Sequence, residues 1–334
     1  MNKRCVISFA AVISALAAMT YINIITGTVS ITGTKVCDIL LGGMRDSMEA
    51  EVLLGIRLPR TIAAIVLGGA LALSGYMLQT FFDNPIVGPF VLGISSGAKL
   101  TVAIALIFLM SRQVRPGSLF LVFAAFVGAL MSMGFVLLIS LKVRSSGILV
   151  VCGIMTGYIC SAITDLVVTF ADDSNIVNLH NWSMGSLSGT SGKDAMMMTV
   201  IVVICLIAAV IFQKPIGAYR LGEAYAAGSG VNVKLLRVML IIISSGLAAT
   251  VTAFAGPISF VGIAVPHLMK GMTGTSEPKV MIPGCFLLGA LITLACDCVA
   301  RTLFAPTEVS ISSVTAVILV PVVIAVMIRR KSKS

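Results

Sequence analysis

Few residues in this sequence are of a type that makes or breaks bonds, and their spacing argues against such a role. There are two histidines, His180 and His267, and neither has a second histidine or clustered acids near it in sequence. A general acid–base pair or a metal centre needs such convergence. Eight cysteines (Cys5, Cys37, Cys152, Cys160, Cys205, Cys285, Cys296 and Cys298) fall mostly in apolar runs, where they serve as small fillers. Cys296 and Cys298 are two apart, so a helix turns them to different faces and they make a poor metal pair. No metal site or disulfide pattern is expected. No Gly-x-x-x-x-Gly-Lys-Ser/Thr loop occurs, so the chain is expected not to be an ATPase itself. The charged residues inside apolar surroundings say more. Arg57 and Arg60 flank Leu58 and Pro59 just before an apolar run. Asp297 and Arg301 are four apart, acid first, and share one helical face in the favourable order. Ion pairing and snorkelling are the plain explanation of such a pair near a span end, and a functional role is the alternative. Asp165 lies deep in another apolar run with no obvious partner.

The elements that position these residues must be membrane helices. Hydrophobic residues make up 58% of the chain and charged ones 11%, with a mean hydropathy of +1.09; soluble domains carry about 25% charged residues. The length allows about ten spans of ~20 residues. Apolar runs suggest spans at 6–25, 61–79, 100–111, 119–141, 148–170, 196–212, 238–256, 282–300 and 314–328. They are long and do not alternate, which favours helices over barrel strands. The 31 glycines cluster within the spans, where they allow close backbone approach. The expected fold class is an all-α, polytopic membrane protein of about ten helices, some short or broken. Residues 1–334 read as a single transmembrane domain, and the first helix reads as an uncleaved span.

The net charge of +10 reflects the positive-inside rule better than affinity for nucleic acid. With the N-terminus inside, 15 of the 23 Lys and Arg residues fall on the inner side, among them Arg4, Lys142, Arg144, Lys214, Arg220, Arg237, Lys270 and the tail at 329–334. Lys35, Arg45, Arg57, Arg60, Arg112, Arg115, Lys193 and Arg301 fall outside. The bias places both termini in the cytoplasm.

Three stretches depart from what a lipid-facing helix needs. The first runs from Arg57 and Pro59 through Gly75 and Gln79 to Asn84, Pro85, Gly88, Pro89, Gly93 and Gly97. The second runs from Gly256 and Pro257 through Phe260 and Gly262 to Pro266, His267 and Lys270, too short for a full span. The third joins Asp297 and Arg301 to Pro306, Glu308 and Thr315. Broken backbone at membrane depth survives only when buried in protein or lining a cavity. These stretches resemble three signatures of the permeases of ABC importers for iron–siderophore complexes, haem and vitamin B12. Two weaker blocks agree: Trp182 with Gly185 and Ser186, and Leu221, Gly222, Glu223, Ala226 and Gly230. The resemblance covers residues of about 50–328. It departs from the family pattern at Gly88, Ser229, Lys270, Ser310, Ser312 and Leu319.

The resemblance implies a permease subunit in a prokaryotic cytoplasmic (inner) membrane. Its partners would be a second permease subunit, identical or paralogous, two cytoplasmic ATPase subunits that use ATP and magnesium, and an extracytoplasmic binding protein. The loop at 215–237, with Leu221, Gly222, Glu223, Ala226 and Gly230, would couple to the ATPase; without the resemblance it is a solvated basic loop. Arg57, Arg60 and Arg301 would dock the binding protein, or else anchor helix ends. Ser146 and Gly147 would form an inner gate, or else an ordinary turn. His267 would hydrogen-bond structurally. Iron–siderophore would be the first cargo, then haem, then cobalamin. An ion-gradient-driven secondary transporter is the alternative, with only Asp165 and Asp297 to serve it.

Overall fold

A computed structural model describes residues 3–27, 31–41, 47–90, 92–110, 118–140, 142–143, 145–305 and 307–331. The described residues form helices α1 (Lys3–Ile25), α2 (Gly33–Leu40) and α3 (Met48–Glu51), a π-helical turn (Val52–Arg57), then α4 (Leu58–Phe82), α5 (Ile94–Met110), α6 (Ser118–Ser140), α7 (Ser146–Val168) and α8 (Asp173–Ser183). They continue as α9 (Gly192–Ile211), α10 (Gln213–Tyr219), α11 (Glu223–Gly228), α12 (Val233–Ala255), α13 (Val261–Thr273), α14 (Pro278–Thr302) and α15 (Ile311–Lys331). Among them, α1, α4, α6, α7, α9, α12 and α14 are long and apolar enough to cross a membrane, and α5 and α15 carry shorter apolar runs. The 13-residue α13, expected as a half-length crossing, is too short to span a membrane alone and holds Pro266 within it.

The bundle is built around α4. Pro59 sits in its first turn, directly after the π-helical turn that carries the helix on from Met48, and 89% of its apolar stretch is buried. Such burial on all sides requires small residues at the crossings. Gly75 faces the backbone of Gly262 in α13 so closely that a Cβ at Gly75 would overlap the Gly262 carbonyl. One residue earlier in α4, Ser74 donates to the Ser244 carbonyl of α12 at 2.7 Å. Gly97 of α5 meets the Gly128 carbonyl of α6, 2.6 Å from where its Cβ would lie. Packing between backbones replaces the hydrophobic drive that lipid does not supply.

The irregular stretches keep their polar backbone satisfied inside the protein. Pro266 lies within α13 and cannot donate to the Gly262 carbonyl four residues earlier. The Gln79 amide donates instead to the Gly262 and Ile263 carbonyls at 3.4 and 3.3 Å. Gln79→Leu is therefore expected to cost about 1–3 kcal/mol through unsatisfied carbonyls, read as a fall in thermal midpoint in nanodiscs. Between α12 and α13, Gly256 adopts a φ of +70° and the buried segment 256–259 packs on the end of α8. There Ser186 N–H donates to the Ala255 carbonyl at 2.8 Å. Gly93, with a φ of +75°, turns the chain into α5 and gives its carbonyl to Ser132 at 3.0 Å.

Candidate functional site

Charged residues gather at both ends of the bundle. At one end the chain brings Arg57, Arg60, Asp297 and Arg301 together. A docking role would place these arginines at the surface, but both are buried: Arg57 is 4% exposed and Arg60 7%. Arg60 leads α4 and turns its guanidinium onto Asp297 of α14 at 3.0 Å. Its other edge takes both oxygens of Glu308 at 2.9 and 3.0 Å. Asp297 is 1% exposed and is shared with Arg301, 3.3 Å away. Arg57 donates to the Ile24 and Ile25 carbonyls at 2.8 and 3.0 Å, capping the end of α1. The physical cause is that unpaired carbonyls at a helix end and a buried carboxylate both need donors, and a guanidinium fork supplies several at once.

Sequence reasoning missed Asn23, which completes this network. It is fully buried, donates to the Leu294 carbonyl at 3.1 Å and accepts from the Arg301 guanidinium. Its signal was an amide inside an otherwise apolar run, which demands a partner. The outcome is a clamp that ties α1, α4 and α14 to the loop carrying Glu308. Glu308 is its exposed member, at 42% of its side chain.

The opposite end carries the 215–237 loop. It folds into the two short helices α10 and α11, with Gly222 (φ +125°) between them. Ala226 is fully buried, whereas Leu221 and Tyr225 are 71% and 57% exposed. Glu223 faces Arg237 of α12 at 3.7 Å. Gly230 (φ +83°) turns the chain back toward α12, whose start is capped by the Asn232 side chain accepting from Leu235 N–H at 3.0 Å. Behind the two helices lies a cavity of about 390 Å3, walled by Tyr76 and Phe81 of α4, Tyr219, Arg220, Arg237 and His267. Burial first, with Glu223 and Asp83 adding to it against the pull of Arg237, pushes the Tyr219 hydroxyl above its usual range. The phenol is thus a hydrogen-bond donor at neutral pH.

His267 donates through Nε2 to the Pro85 carbonyl at 2.8 Å, which joins α13 to the turn after α4. That turn is shaped by Asn84, whose side chain accepts from Ile86 N–H at 3.1 Å. At the same end Arg4 caps α13 through the Gly271 and Met272 carbonyls. Ser146 and Gly147 open α7, and Gly147 is exposed. The Ser146 side chain, Leu141 and Arg144 lie outside the described residues, as do Arg45, Arg112, Arg115, Pro306 and residues 332–334. Asp165 is exposed in the last turn of α7, not deep in the span as expected. Among the described residues no group of histidine, cysteine and acidic side chains could hold a metal ion.

Residues 15–329 match the model of the FecCD transport family. The chain belongs to the FecCD transport family. Its relatives include the vitamin B12 import system permease protein BtuC of Klebsiella pneumoniae, 33% identical over 279 residues, which are 83% of this chain and 82% of the relative. BtuC of Salmonella typhi is 34% identical over 274 residues, 82% of each chain. Among solved structures, a metal-chelate type ABC transporter in an inward-facing conformation superposes with a TM-score of 0.85 at 26% identity, covering 97% of this chain and 99% of the other. PsaBC from Streptococcus pneumoniae in complex with Fab gives a TM-score of 0.58 at 14% identity, over 87% of this chain and 95% of the other, and so shares the fold alone.

Proposed function

We propose that this FecCD chain is the membrane permease of an ATP-driven importer and forms the pathway for a metal chelate. The observation that carries this reading is the superposition of nearly the whole chain on a metal-chelate type ABC transporter. The named relatives are vitamin B12 permeases, so a corrinoid is the first cargo to test, ahead of the iron–siderophore complex and haem that the sequence resemblance put forward. The partners are a second permease copy or paralogue, two ATPase subunits supplying ATP and magnesium chemistry, and an extracytoplasmic binding protein. No cofactor is assigned to this chain. The basic bias of the α10–α11 end supports a cytoplasmic placement of that end and of both termini.

Energy enters through α10 and α11. Leu221 and Tyr225 offer exposed apolar anchors beside a Glu223–Arg237 pair, the pattern of a docking centre with a polar rim. Replacing Leu221 and Tyr225 together with alanine is expected to weaken ATPase association at least about tenfold, with the permease still folded. Co-purification and basal unfolding measured side by side check this; wild-type association would remove the coupling role from these helices. Gly147 and Ser146 at the start of α7 are assigned the inner gate.

The binding protein docks at the Arg60 end. Because Arg60 and Arg301 are paired within the chain, an incoming carboxylate has to replace Glu308 on Arg60. Uptake of labelled cyanocobalamin, ferric siderophores and haem by cells that express this permease with its partners tests the cargo. Accumulation of none of the three would overturn the metal-chelate reading.

A further inference from the structure

The cavity behind α10 and α11 has more polar equipment than a coupling contact needs. Three cationic side chains, Arg220, Arg237 and Lys270, line it with His267 and the Tyr76 and Tyr219 hydroxyls. Asp83 and Glu223 are its acids; both are exposed. Cations therefore outnumber carboxylates, and the acids stand where water already solvates them.

Arg237 is the decisive residue. Its side chain is 13% exposed and its guanidinium carbon lies 5.4 Å from the centre of the Phe81 ring. Glu223 approaches at 3.7 Å, beyond hydrogen-bond length. Arg237 Nε is sealed from solvent and has no hydrogen-bond partner. A buried donor left unpaired is costly, which favours an added acceptor at this place. Arg220 also lies over a ring, its guanidinium carbon 5.9 Å from the Tyr76 ring centre, and it donates to the Tyr76 hydroxyl at 3.5 Å. A guanidinium stacked on a ring has its face covered and its edge donors left for in-plane oxygens.

From this geometry we infer that the cavity is an anion site that takes a phosphate group. Two stacked guanidiniums, an ammonium and two phenols converge from α4, α10, α12 and α13, which suits a tetrahedral oxyanion with several acceptor oxygens. Burial holds the Tyr219 hydroxyl above its usual range, so it stays protonated. At about 390 Å3 the cavity has room for an anion of this size. The phosphate comes either from solution at that end or from the headgroup of an anionic lipid. The inference does not depend on the importer reading, because it uses only side chains of the cavity.

The test uses the whole chain in nanodiscs of zwitterionic phosphatidylcholine. Its thermal midpoint is followed while sodium phosphate is titrated against sodium chloride at matched ionic strength. A saturable rise is expected, and Arg220→Gln, a change at an exposed side chain, should weaken the apparent affinity about tenfold. Arg220→Gln combined with Arg237→Gln should abolish the response. A second set of nanodiscs contains phosphatidylglycerol and no free phosphate. Stabilisation that appears only there and is lost in Arg220→Gln assigns the phosphate to a headgroup; stabilisation by the titrated salt assigns it to solution. No saturable response in either set, or a response undiminished in Arg220→Gln, would overturn the site.

Discussion

Replacing Asp297 with alanine is expected to destabilise the protein by about 3–5 kcal/mol, the cost of breaking a buried ion pair from one side. Asp297 stands between Arg60 and Arg301, whose side chains are only 9% and 10% exposed. Without it two guanidiniums face each other, with Glu308 and Asn23 as the remaining partners of the clamp. The Lys35–Glu49 pair supplies the contrast, because its side chains are 44% and 26% exposed. Lys35→Ala should cost less than about 1 kcal/mol, as exposed pairs do. Denaturant unfolding of both variants in nanodiscs measures the difference. Equal effects would mean that the clamp does not hold the ends of α1, α4 and α14 together.

Gly75→Val is expected to be still more damaging. Overpacking a core typically costs ~1–3 kcal/mol, and more where the neighbour cannot yield. Here the neighbour is the Gly262 backbone, held by the Pro266 break and the Gln79 amide. The only relief is to part α4 from α13, which would also separate His267 from the turn at Pro85. Gly134→Val in α6 is the matched control, because a Cβ there meets nothing within 4 Å. Yield of monodisperse protein should collapse for Gly75→Val and hold for Gly134→Val. Normal yield and thermal midpoint for Gly75→Val would mean that the α4–α13 contact is looser than described.

Span positions were legible because lipid demands long apolar runs, but their starts were not. The apolar reading begins one span at 196, whereas α9 begins at Gly192 under a capping box in which Ser191 and Asp194 exchange hydrogen bonds. Likewise α12 begins at Val233 beneath Asn232, before the apolar run proper. Polar caps extend a helix beyond the hydrocarbon, and hydropathy does not register them. The segment with α2 and α3 was not anticipated as structure; its mixed composition hides a small core of Ile31, Val36, Ile39, Ala50 and Leu53.

Residue types at the charged ends were legible, and directions were not. The spacing of Arg57 and Arg60 puts them on one side of a helix start, but only tertiary structure shows that Asp297 lies within reach of Arg60. Local periodicity holds no record of a partner more than two hundred residues away in the chain. The same limit hid Arg237, which ends the loop assigned to coupling yet forms a wall of the cavity behind it. His267 is the counter-example: a lone histidine in a short proline-bracketed helix points to a structural hydrogen bond, and it makes one to Pro85.

The energy source of transport separates an ATP-driven importer from a gradient-driven carrier most directly. Proteoliposomes holding the permease and its ATPase, with binding protein and labelled metal chelate outside, should accumulate chelate only when ATP and magnesium are supplied to the ATPase. Vanadate should abolish accumulation, and collapsing proton and sodium gradients should leave it unchanged. Gradient-driven uptake by the permease without the ATPase would contradict the account and make the chain a secondary transporter.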